Sequence, residues 1–385
     1  MLEAGAVRGS AGGRASQDER WMRRALDLAD HGRHGVSPNP MVGCLLVRDG
    51  VAVGEGFHER AGGPHAEVVA LAQAGSRSRG ATAYVTLEPC DHSGRTGPCT
   101  HALITAGVRR VVAAVTDPHP AAGGGAATLR AAGIRVDVGV CAAQARRQNE
   151  VFFHTATTGR PFVVVKAATS LDGRVAAADG SSQWLTGEQA RTRGHALRAE
   201  VDAVLVGSGT VLADDPALTC RLAGYRGPQP LRVVLDRRGR TTADRRVVDG
   251  SAPTLVLAGP RADPTWVAKL RAAGAQVSLV AGLETGQPHA ALARLWERQV
   301  RSVLVEGGAT VIGAFLRAGL CDKLVVHVAP LLLGADGAPL LAGGAATLAE
   351  APRLRLDAVE RAGGDAILTL YPSAATRWRG DSEAA

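Results

Sequence analysis

Gly62-Gly63-Pro64-His65-Ala66-Glu67 and Pro89-Cys90-Asp91-His92-Ser93-Gly94-Arg95-Thr96-Gly97-Pro98-Cys99 decide how the first half of this chain is read. One imidazole and two thiols make three protein ligands and leave a fourth tetrahedral position for water. That is the donor set of a catalytic zinc rather than a structural one. Glu67 is then placed to carry protons. Positions two apart in a helix body point away from each other. His65 and Glu67 therefore converge only if both lie in a first helical turn, and Gly62-Gly63-Pro64 supplies the helix start. Cys99 also follows a proline and would open another helix, whose positive end favours a thiolate. Cys44 sits in an apolar strand and is not counted as a fourth ligand.

Outward from these motifs, helical and extended patterns alternate. Residues 18–32 carry Trp21, Ala25, Leu28 and Ala29 at helical spacing. Strands are expected at 42–47 and 51–56, joined by the hairpin signal Arg48-Asp49-Gly50. A helix at 65–74, a strand at 81–87, a helix at 99–106, a strand at 111–115, a helix at 126–132 and a strand at 134–138 follow. This alternation predicts an α/β layer domain over 18–145. Residues 142–160 are polar and punctuated, and 146–160 is read as a linker. Strand candidates then recur at 162–168, 203–207, 231–236, 254–258, 276–280, 302–306, 323–328 and 367–371. Helical patterns lie between most of them, notably at 265–273 and 290–299, so 161–372 is expected to form a second α/β domain. Residues 1–17 and 373–385 are read as disordered tails.

At 385 residues the chain exceeds what one core usually organises. Aromatic residues make up only 3%, so the cores must be built from Ala, Val and Leu. The longest apolar runs are too short or interrupted to span a bilayer, and no apolar segment follows the small polar residues at the start. The cytoplasm is the expected location. Six cysteines in such a length are no disulfide framework, and Cys44, Cys141, Cys220 and Cys321 are read as inert thiols. The net charge of +8 comes almost wholly from arginine, with only Lys166, Lys269 and Lys323 as lysines. These arginines are dispersed and not interleaved with aromatics, so no stacking platform is visible and nucleic acid is not the expected partner. A few local arginines would serve a small phosphorylated molecule equally well.

His-x-Glu followed by Pro-Cys is the signature of zinc-dependent nucleobase deaminases, although eight residues, 91–98, separate the cysteines where two are usual. A deaminase acting on tRNA shares these motifs but predicts the short gap and leaves the second half unexplained. The long intercysteine loop, with Pro38-Asn39-Pro40-Met41-Val42-Gly43 and Gly54-Glu55-Gly56-Phe57-His58, closely resembles the bacterial riboflavin deaminase/reductase family. By that resemblance the first domain has a cytidine deaminase-like fold, in which His65, Cys90 and Cys99 hold Zn2+ and Glu67 is the general acid/base. Asn39, His58, His92 and Arg95 would bind substrate. Asn39 offers a donor and an acceptor to a pyrimidine edge, and Arg95 offers a fork to a ribose phosphate. His31, His34 and His101 have no such context and are left as surface residues. One departure is Asp117-Pro118-His119-Pro120, where relatives usually carry Asn before the second proline.

In the second half, Ala203-Val204-Leu205-Val206-Gly207-Ser208-Gly209-Thr210 and Ser302-Val303-Leu304-Val305-Glu306-Gly307-Gly308-Ala309-Thr310 each run from strand to glycine turn. Such turns let backbone N–H groups approach phosphate, but neither is the Gly-x-Gly-x-x-Gly dinucleotide fingerprint. Lys166-Ala167-Ala168-Thr169-Ser170-Leu171-Asp172-Gly173, Ser182-Gln183-Trp184 and Thr210-Val211-Leu212-Ala213-Asp214-Asp215-Pro216 resemble the reductase half of the same family. The resemblance implies a dihydrofolate reductase-like α/β fold. NADPH would contact Ala168, Trp184, Thr210, Asp214 and the turn Gly308, Ala309, Thr310, Val311, Ile312, Gly313 and Ala314. Ser182, Arg198, Leu218, Arg221 and Glu306 would contact substrate, with Lys166 a polar partner near the reacting ribose. Arg237 and Arg238 could read the cofactor 2′-phosphate or form an ordinary basic turn. The implied substrate is a small pyrimidine ribosyl phosphate, 2,5-diamino-6-ribosylamino-4(3H)-pyrimidinone 5′-phosphate, deaminated at C2 and then reduced at the ribosyl C1. A homo-oligomer without membrane partners is expected.

Overall fold

The computed structural model describes residues 16–92, 97–119, 123–283 and 286–373, and the chain divides into two compact units between Phe153 and His154. The first unit runs α1 (Gln17–Asp30), β1 (Gly43–Arg48), β2 (Val51–Phe57), α2 (Ala66–Ala74), β3 (Thr82–Val85), α3 (Cys99–Thr105), β4 (Arg110–Ala113), α4 (Gly125–Ala131), β5 (Arg135–Val138) and α5 (Ala142–Gln148). Helix α1 begins with a capping box. The Ser16 hydroxyl accepts the Glu19 N–H at 3.2 Å, and the Glu19 carboxylate accepts the Ser16 N–H at 3.2 Å. Ser16 and Gln17, expected to lie in the tail, therefore belong to this helix; residues 1–15 lie outside the described ones.

The sheet order is β2-β1-β3-β4-β5; β1 pairs antiparallel with β2 and β3, while β3, β4 and β5 run parallel. Strand period two sends Leu45 and Val47 to the face covered by Met22, Ala25 and Leu26 of α1. Cys44 and Leu46 go to the face covered by Ala66, Ala70, Leu103 and Leu129 of α2, α3 and α4. Helix α2 lies unusually close to β2. A Cβ on Gly54 would stand 2.3 Å from the Ala70 carbonyl oxygen, and one on Gly56 would stand 2.4 Å from that of Ala66.

The stretch expected as a polar linker, 146–160, is helical over most of its length: α5 ends there and α6 (Glu150–Thr158) follows. Its composition misleads because polar residues dominate it and its only two large aromatics are adjacent. Phe152 and Phe153 pack on the α1 side of the first core. Asn149, between the helices, is buried and holds the Met41 peptide on both sides. Its Nδ2 donates to Met41 O and its Oδ1 accepts from Met41 N, each at 2.8 Å.

The second unit continues with β6 (Phe162–Ser170), β7 (Arg174–Ala176), α7 (Glu188–Ala199), β8 (Ala203–Gly207), α8 (Ser208–Asp214), β9 (Leu231–Leu235), β10 (Thr254–Ala258), α9 (Pro264–Ala272) and β11 (Gln276–Leu279). Then come α10 (His289–Glu297), β12 (Ser302–Val305), α11 (Ala309–Arg317), β13 (Lys323–Ala329), β14 (Ala338–Pro339), β15 (Leu354–Ala362) and β16 (Asp365–Pro372). Nine strands form one sheet in the order β11-β10-β9-β8-β12-β6-β13-β16-β15. From β11 to β13 all pairings are parallel; β16 is antiparallel to β13 and to β15. Parallel strands buried on both faces read as continuous apolar runs, which is why 203–207 and 254–258 stood out. Edge strand β15 did not, because Leu356 and Val359 face solvent among charged residues. Ser373, assigned above to a tail, is tied back by its N–H and its hydroxyl to the Arg353 carbonyl at 3.2 and 3.0 Å. Among the described residues no helix is long and apolar enough to cross a membrane.

Arg232 of β9 is fully buried, and its guanidinium donates to the carbonyls of Arg246 (2.9 Å) and Ala252 (2.6 Å), the Thr254 hydroxyl (2.9 Å) and Asp249 (2.9 Å). Arg232→Ala would take this donor from the buried Thr254 hydroxyl and from the Arg246 and Ala252 carbonyls. A loss of about 3 kcal/mol is expected, read as a lower urea midpoint for the second unit with the bound zinc of the first unit unchanged.

Candidate active sites

In the first unit His65 is the N-cap of α2, with extended backbone at φ −74° and ψ 156°. Glu67 lies in the first turn and is 3% exposed. Both positions follow from the break at Gly62-Gly63-Pro64. Cys99 opens α3 with Pro98 as its N-cap, and Cys90 arrives from the loop after β3. His65 Nδ1 is 3.1 Å from Cys99 Sγ and 3.4 Å from Cys90 Sγ, and the three ligand atoms lie within 4.8 Å of one another. Cys44, left out as a ligand, is not in the cluster. Two thiols and an imidazole, both thiols buried, suit zinc better than a hard cation.

Protons are shared unevenly within the cluster. Hydrogen bonds from Cys99 and His65 hold Cys90 down at about 4, and Cys99, the thiol that donates, is pushed up accordingly. The hydrogen bond to Cys90 also raises His65. Burial raises the Glu67 carboxyl, with the Cys90 charge adding to it.

Three clamps hold the cysteine loop in place. Glu88, buried three residues beyond β3, accepts the N–H of Ala126 at 2.9 Å and of Asp117 at 3.1 Å. Asp91 accepts the hydroxyls of Thr100 and Thr128, each at 2.6 Å, and these bonds hold its carboxyl below the usual range. Gly125 allows the third, since a Cβ there would stand 1.9 Å from the Pro89 carbonyl oxygen. The atypical 117–120 loop thus contributes a backbone N–H to the clamp.

His58, 4% exposed, lies edge-on to His65 with ring centroids 5.7 Å apart. Its Nδ1 is 2.9 Å from the Pro64 carbonyl and so carries the proton; its Nε2, 3.0 Å from Asn39 Nδ2, then accepts. Burial lowers its pKa, which keeps the ring neutral. The Asn39 amide is thereby oriented, with its oxygen left as an acceptor. His92 is exposed at the start of the loop, and Arg95 lies outside the described residues.

In the second unit a cavity of about 930 Å³ opens at the carboxyl ends of β6, β12, β8 and β9. It is lined by Lys166, Ala168, Ser182, Trp184, Arg198, Thr210, Asp214, Leu218 and Glu306. Of the turn 308–314, all but Gly313 face it; a Cβ on Gly313 would instead meet the Ala342 carbonyl at 2.7 Å. Thr210 Oγ1 accepts the Gly308 N–H at 3.1 Å, clipping the two glycine turns together. A smaller cavity of about 320 Å³ adds Arg221 and shares Lys166, Trp184, Arg191, Arg198 and Glu306 with the first. One cavity therefore suits a cofactor and the other a smaller substrate, and they meet at these five side chains.

Arg198, expected on a substrate phosphate, grips Glu306 with Nε at 3.0 Å and Nη2 at 2.6 Å, and donates to the Thr219 carbonyl at 3.0 Å. Burial alone would raise Glu306, but the Arg198 charge and hydrogen bonds and the Lys166 charge outweigh it and hold the carboxyl ionised. Lys166 is lowered, mainly by desolvation. Arg221 is exposed and keeps one weak side-chain bond, to Thr219 Oγ1 at 3.3 Å. The sequence reading missed Arg191 and His195, which line the smaller cavity. With Arg198 they are spaced four and seven apart on α7, a helical-face signal available in the sequence. Arg191 also stacks on Trp184, with Cζ 4.8 Å from the ring centroid.

Residues 161–368 match the family model for the RibD C-terminal domain, and residues 15–115 match that for the cytidine and deoxycytidylate deaminase zinc-binding region. The riboflavin biosynthesis protein RibD of Escherichia coli is 44% identical over 369 residues, covering 92% of this chain and 99% of the relative. The chain belongs to the RibD family. RibD of Mycobacterium tuberculosis is 45% identical over 337 residues, covering 86% of this chain and 91% of the relative. The solved structure of Acinetobacter baumannii RibD is 41% identical with a TM-score of 0.84, covering 93% of this chain and 99% of that one. A Thermotoga maritima structure, described as a diaminohydroxyphosphoribosylaminopyrimidine deaminase/5-amino-6-(5-phosphoribosylamino)uracil reductase, is 37% identical with a TM-score of 0.83, covering 92% and 99%. The RibD match thus extends over both units, with a cytidine deaminase-like domain first and a reductase-like α/β domain second.

Gly125→Ala should push the Pro89 carbonyl, and Cys90 behind it, out of the RibD metal cluster. Zinc per chain, measured by elemental analysis, is expected to fall to less than about half, while Gly124→Ala, with open space at its Cβ, should cost only the strain of a left-handed residue.

Proposed function

We propose that this chain catalyses two successive steps of riboflavin biosynthesis. The first unit deaminates 2,5-diamino-6-ribosylamino-4(3H)-pyrimidinone 5′-phosphate hydrolytically, releasing ammonia and leaving a carbonyl at C2. The second reduces the ribosyl group of the product to ribityl with NADPH. The observation that carries this reading is the pairing, in one RibD-family chain, of a His-Cys-Cys cluster beside a buried carboxyl with a large cavity at parallel strand ends.

In the deaminase half, His65, Cys90 and Cys99 would hold zinc, whose chemistry when bound is Lewis-acid activation of water. Glu67, buried and raised in pKa, takes the proton of the attacking water and delivers it to the departing amine. Asn39, oriented by His58, offers its amide oxygen to an N–H of the pyrimidine edge. His92 and Arg95 complete the substrate contacts from the cysteine loop.

In the reductase half, the turn around Gly308 with Thr210, Ala168, Trp184 and Asp214 would hold NADPH, whose chemistry when bound is hydride donation. The reacting ribose, opened to its imine, sits where the two cavities meet. Lys166 and Glu306 flank it, and Lys166 can give a proton to nitrogen as hydride reaches C1. Ser182 and Leu218 bound the substrate. Arg221, with the less encumbered guanidinium, takes its phosphate, while Arg198 holds Glu306 in its charged form. A domain of 18–145 for deamination and one of 161–372 for reduction, a cytoplasmic location and homo-oligomeric assembly belong to the same reading.

Purified protein given the diaminopyrimidine phosphate should release ammonia without NADPH and consume NADPH when it is added. Glu67→Gln is expected to keep its zinc yet lose about 10²–10⁴-fold in ammonia release, and still reduce the deaminated intermediate. Unchanged ammonia release in that variant would refute the role of Glu67.

A further inference from the structure

His327 stands within β13 and is 1% exposed, and among the described residues neither nitrogen of its ring has a hydrogen-bond partner. Its neighbours on the strand, Val325, Val326 and Val328, are apolar. Buried polar groups are nearly always paired, and another valine would fill this position without leaving a donor and an acceptor unused. Packing alone does not call for an imidazole here. Register shows what the ring lies beside. β13 runs parallel to β6, with Val325 opposite Lys166 and His327 opposite Ala168. Positions two apart on a strand share a face, so Lys166 and His327 point to the same side of the sheet. Gly194 of α7 is buried against them. A Cβ on it would stand 3.8 Å from Lys166 Cε and Nζ and 4.0 Å from His327 Cε1. The ammonium and the imidazole thus border one small space, open because residue 194 has no side chain.

The other charged and titratable groups facing this space are few. Glu306 follows β12, and Arg198 and His195 come from α7; all three line the smaller cavity with Lys166. On its far side β13 pairs with β16, which sets the apolar Ile367 opposite His327, while Asp365 of that strand is turned to the Gly187 N–H at 2.7 Å. Burial, with the Lys166 charge adding to it, holds His327 near 4. The ring is therefore neutral and one of its nitrogens keeps a lone pair. Glu306 is already gripped by Arg198, whereas the ring nitrogens are free to accept. In the reduction, the C1=N electron pair moves to nitrogen and takes a proton from the Lys166 ammonium as hydride arrives at C1. That leaves oxidised cofactor and a neutral amine, which regains its proton from solvent in the cavity. An ammonium on a flexible four-carbon stem needs an acceptor to aim it.

We propose that His327 is the positioning residue for Lys166: a ring nitrogen accepts one N–H of the Lys166 ammonium and so aims another at the nitrogen of the open-chain imine. This rests on the reductase reading above and adds the group that orders its proton donor. The test uses the full-length zinc-loaded protein, with the diaminopyrimidine phosphate fully deaminated before NADPH is added, and follows NADPH oxidation across pH. The reaction needs the ammonium, so its rate falls as pH rises through the Lys166 pKa. His327→Leu removes the acceptor, and Gly194→Ala, which favours the helix and meets only ordinary contacts, fills the shared space with a methyl. Both should lose about 10–100-fold in kcat with KM for NADPH changed less than about twofold. In both, the high-pH limb should move about one pH unit lower, because the buried ammonium has lost a bond that favoured it. His327→Gln keeps an acceptor and should stay within about threefold of wild type, with its limb in place. Ammonia release should match wild type in all three. An unmoved limb in His327→Leu or Gly194→Ala, or a His327→Gln variant that falls as far as His327→Leu, overturns the assignment. Should His327→Leu fail to fold, seen as lost NADPH binding, the other two variants decide it. A wild-type protein that releases ammonia but never oxidises NADPH would instead bring down the reductase reading, and this inference with it.

Discussion

The position of Cys90 depends on a clearance between two backbones. The Pro89 carbonyl passes so close to Gly125 that any side chain there would meet it at 1.9 Å, and the loop that brings Cys90 to His65 and Cys99 can lie in one place only because that space is empty. The same constraint recurs on the other flank, where Gly54 and Gly56 let α2 settle onto β2 and carry His65 and Glu67 inward. Three donors from three separate elements then converge without a long side chain having to reach. Metal affinity in such a site depends on how little the ligands must move, so the glycines act on the chemistry through the backbone.

The second unit uses a different device. Its cavity concentrates charge, and the cost of desolvating that charge is offset by pairing. Glu306 stays ionised while buried because Arg198 holds both its oxygens, and Lys166 loses basicity mainly because it is buried, an effect the Glu306 charge only partly offsets. A lysine with a lowered pKa is a better proton donor than one at its usual value. Neutral His195, held near 4 by burial and by the neighbouring Arg198 and Arg221, adds a polar wall without adding charge.

Much of this was legible in the residue order, for reasons that differ between the halves. The zinc donors are local: a His-Ala-Glu run at a helix start and two Pro-Cys steps are chemical signals in themselves. The reductase contacts came from resemblance, because strand-glycine turns are common and carry little information alone. What escaped notice was supplied by long-range packing. The Glu88 and Asp91 clamps join segments tens of residues apart, and the Arg198–Glu306 pair spans 108 positions. Helices α5 and α6 were not seen in the stretch read as a linker, which does hold the boundary between the units, because Gln and Arg are strongly polar while being good helix formers. Strand β15 was lost because an edge strand need not be apolar.

The central sheet of the second unit is closed by a late arrival. β12, residues 302–305, inserts between β6 and β8, whose paired residues begin at 162 and 203. During synthesis these two strands have no partner between them until about a hundred further residues have emerged, and the parallel pairings on either side have the large sequence separation that slows folding. A chain interrupted before this point would carry its deaminase unit intact and an open gap where the reductase floor should be. Exposed strand edges of that kind invite association, so newly made protein is most vulnerable to aggregation while the stretch between β8 and β12 is being translated.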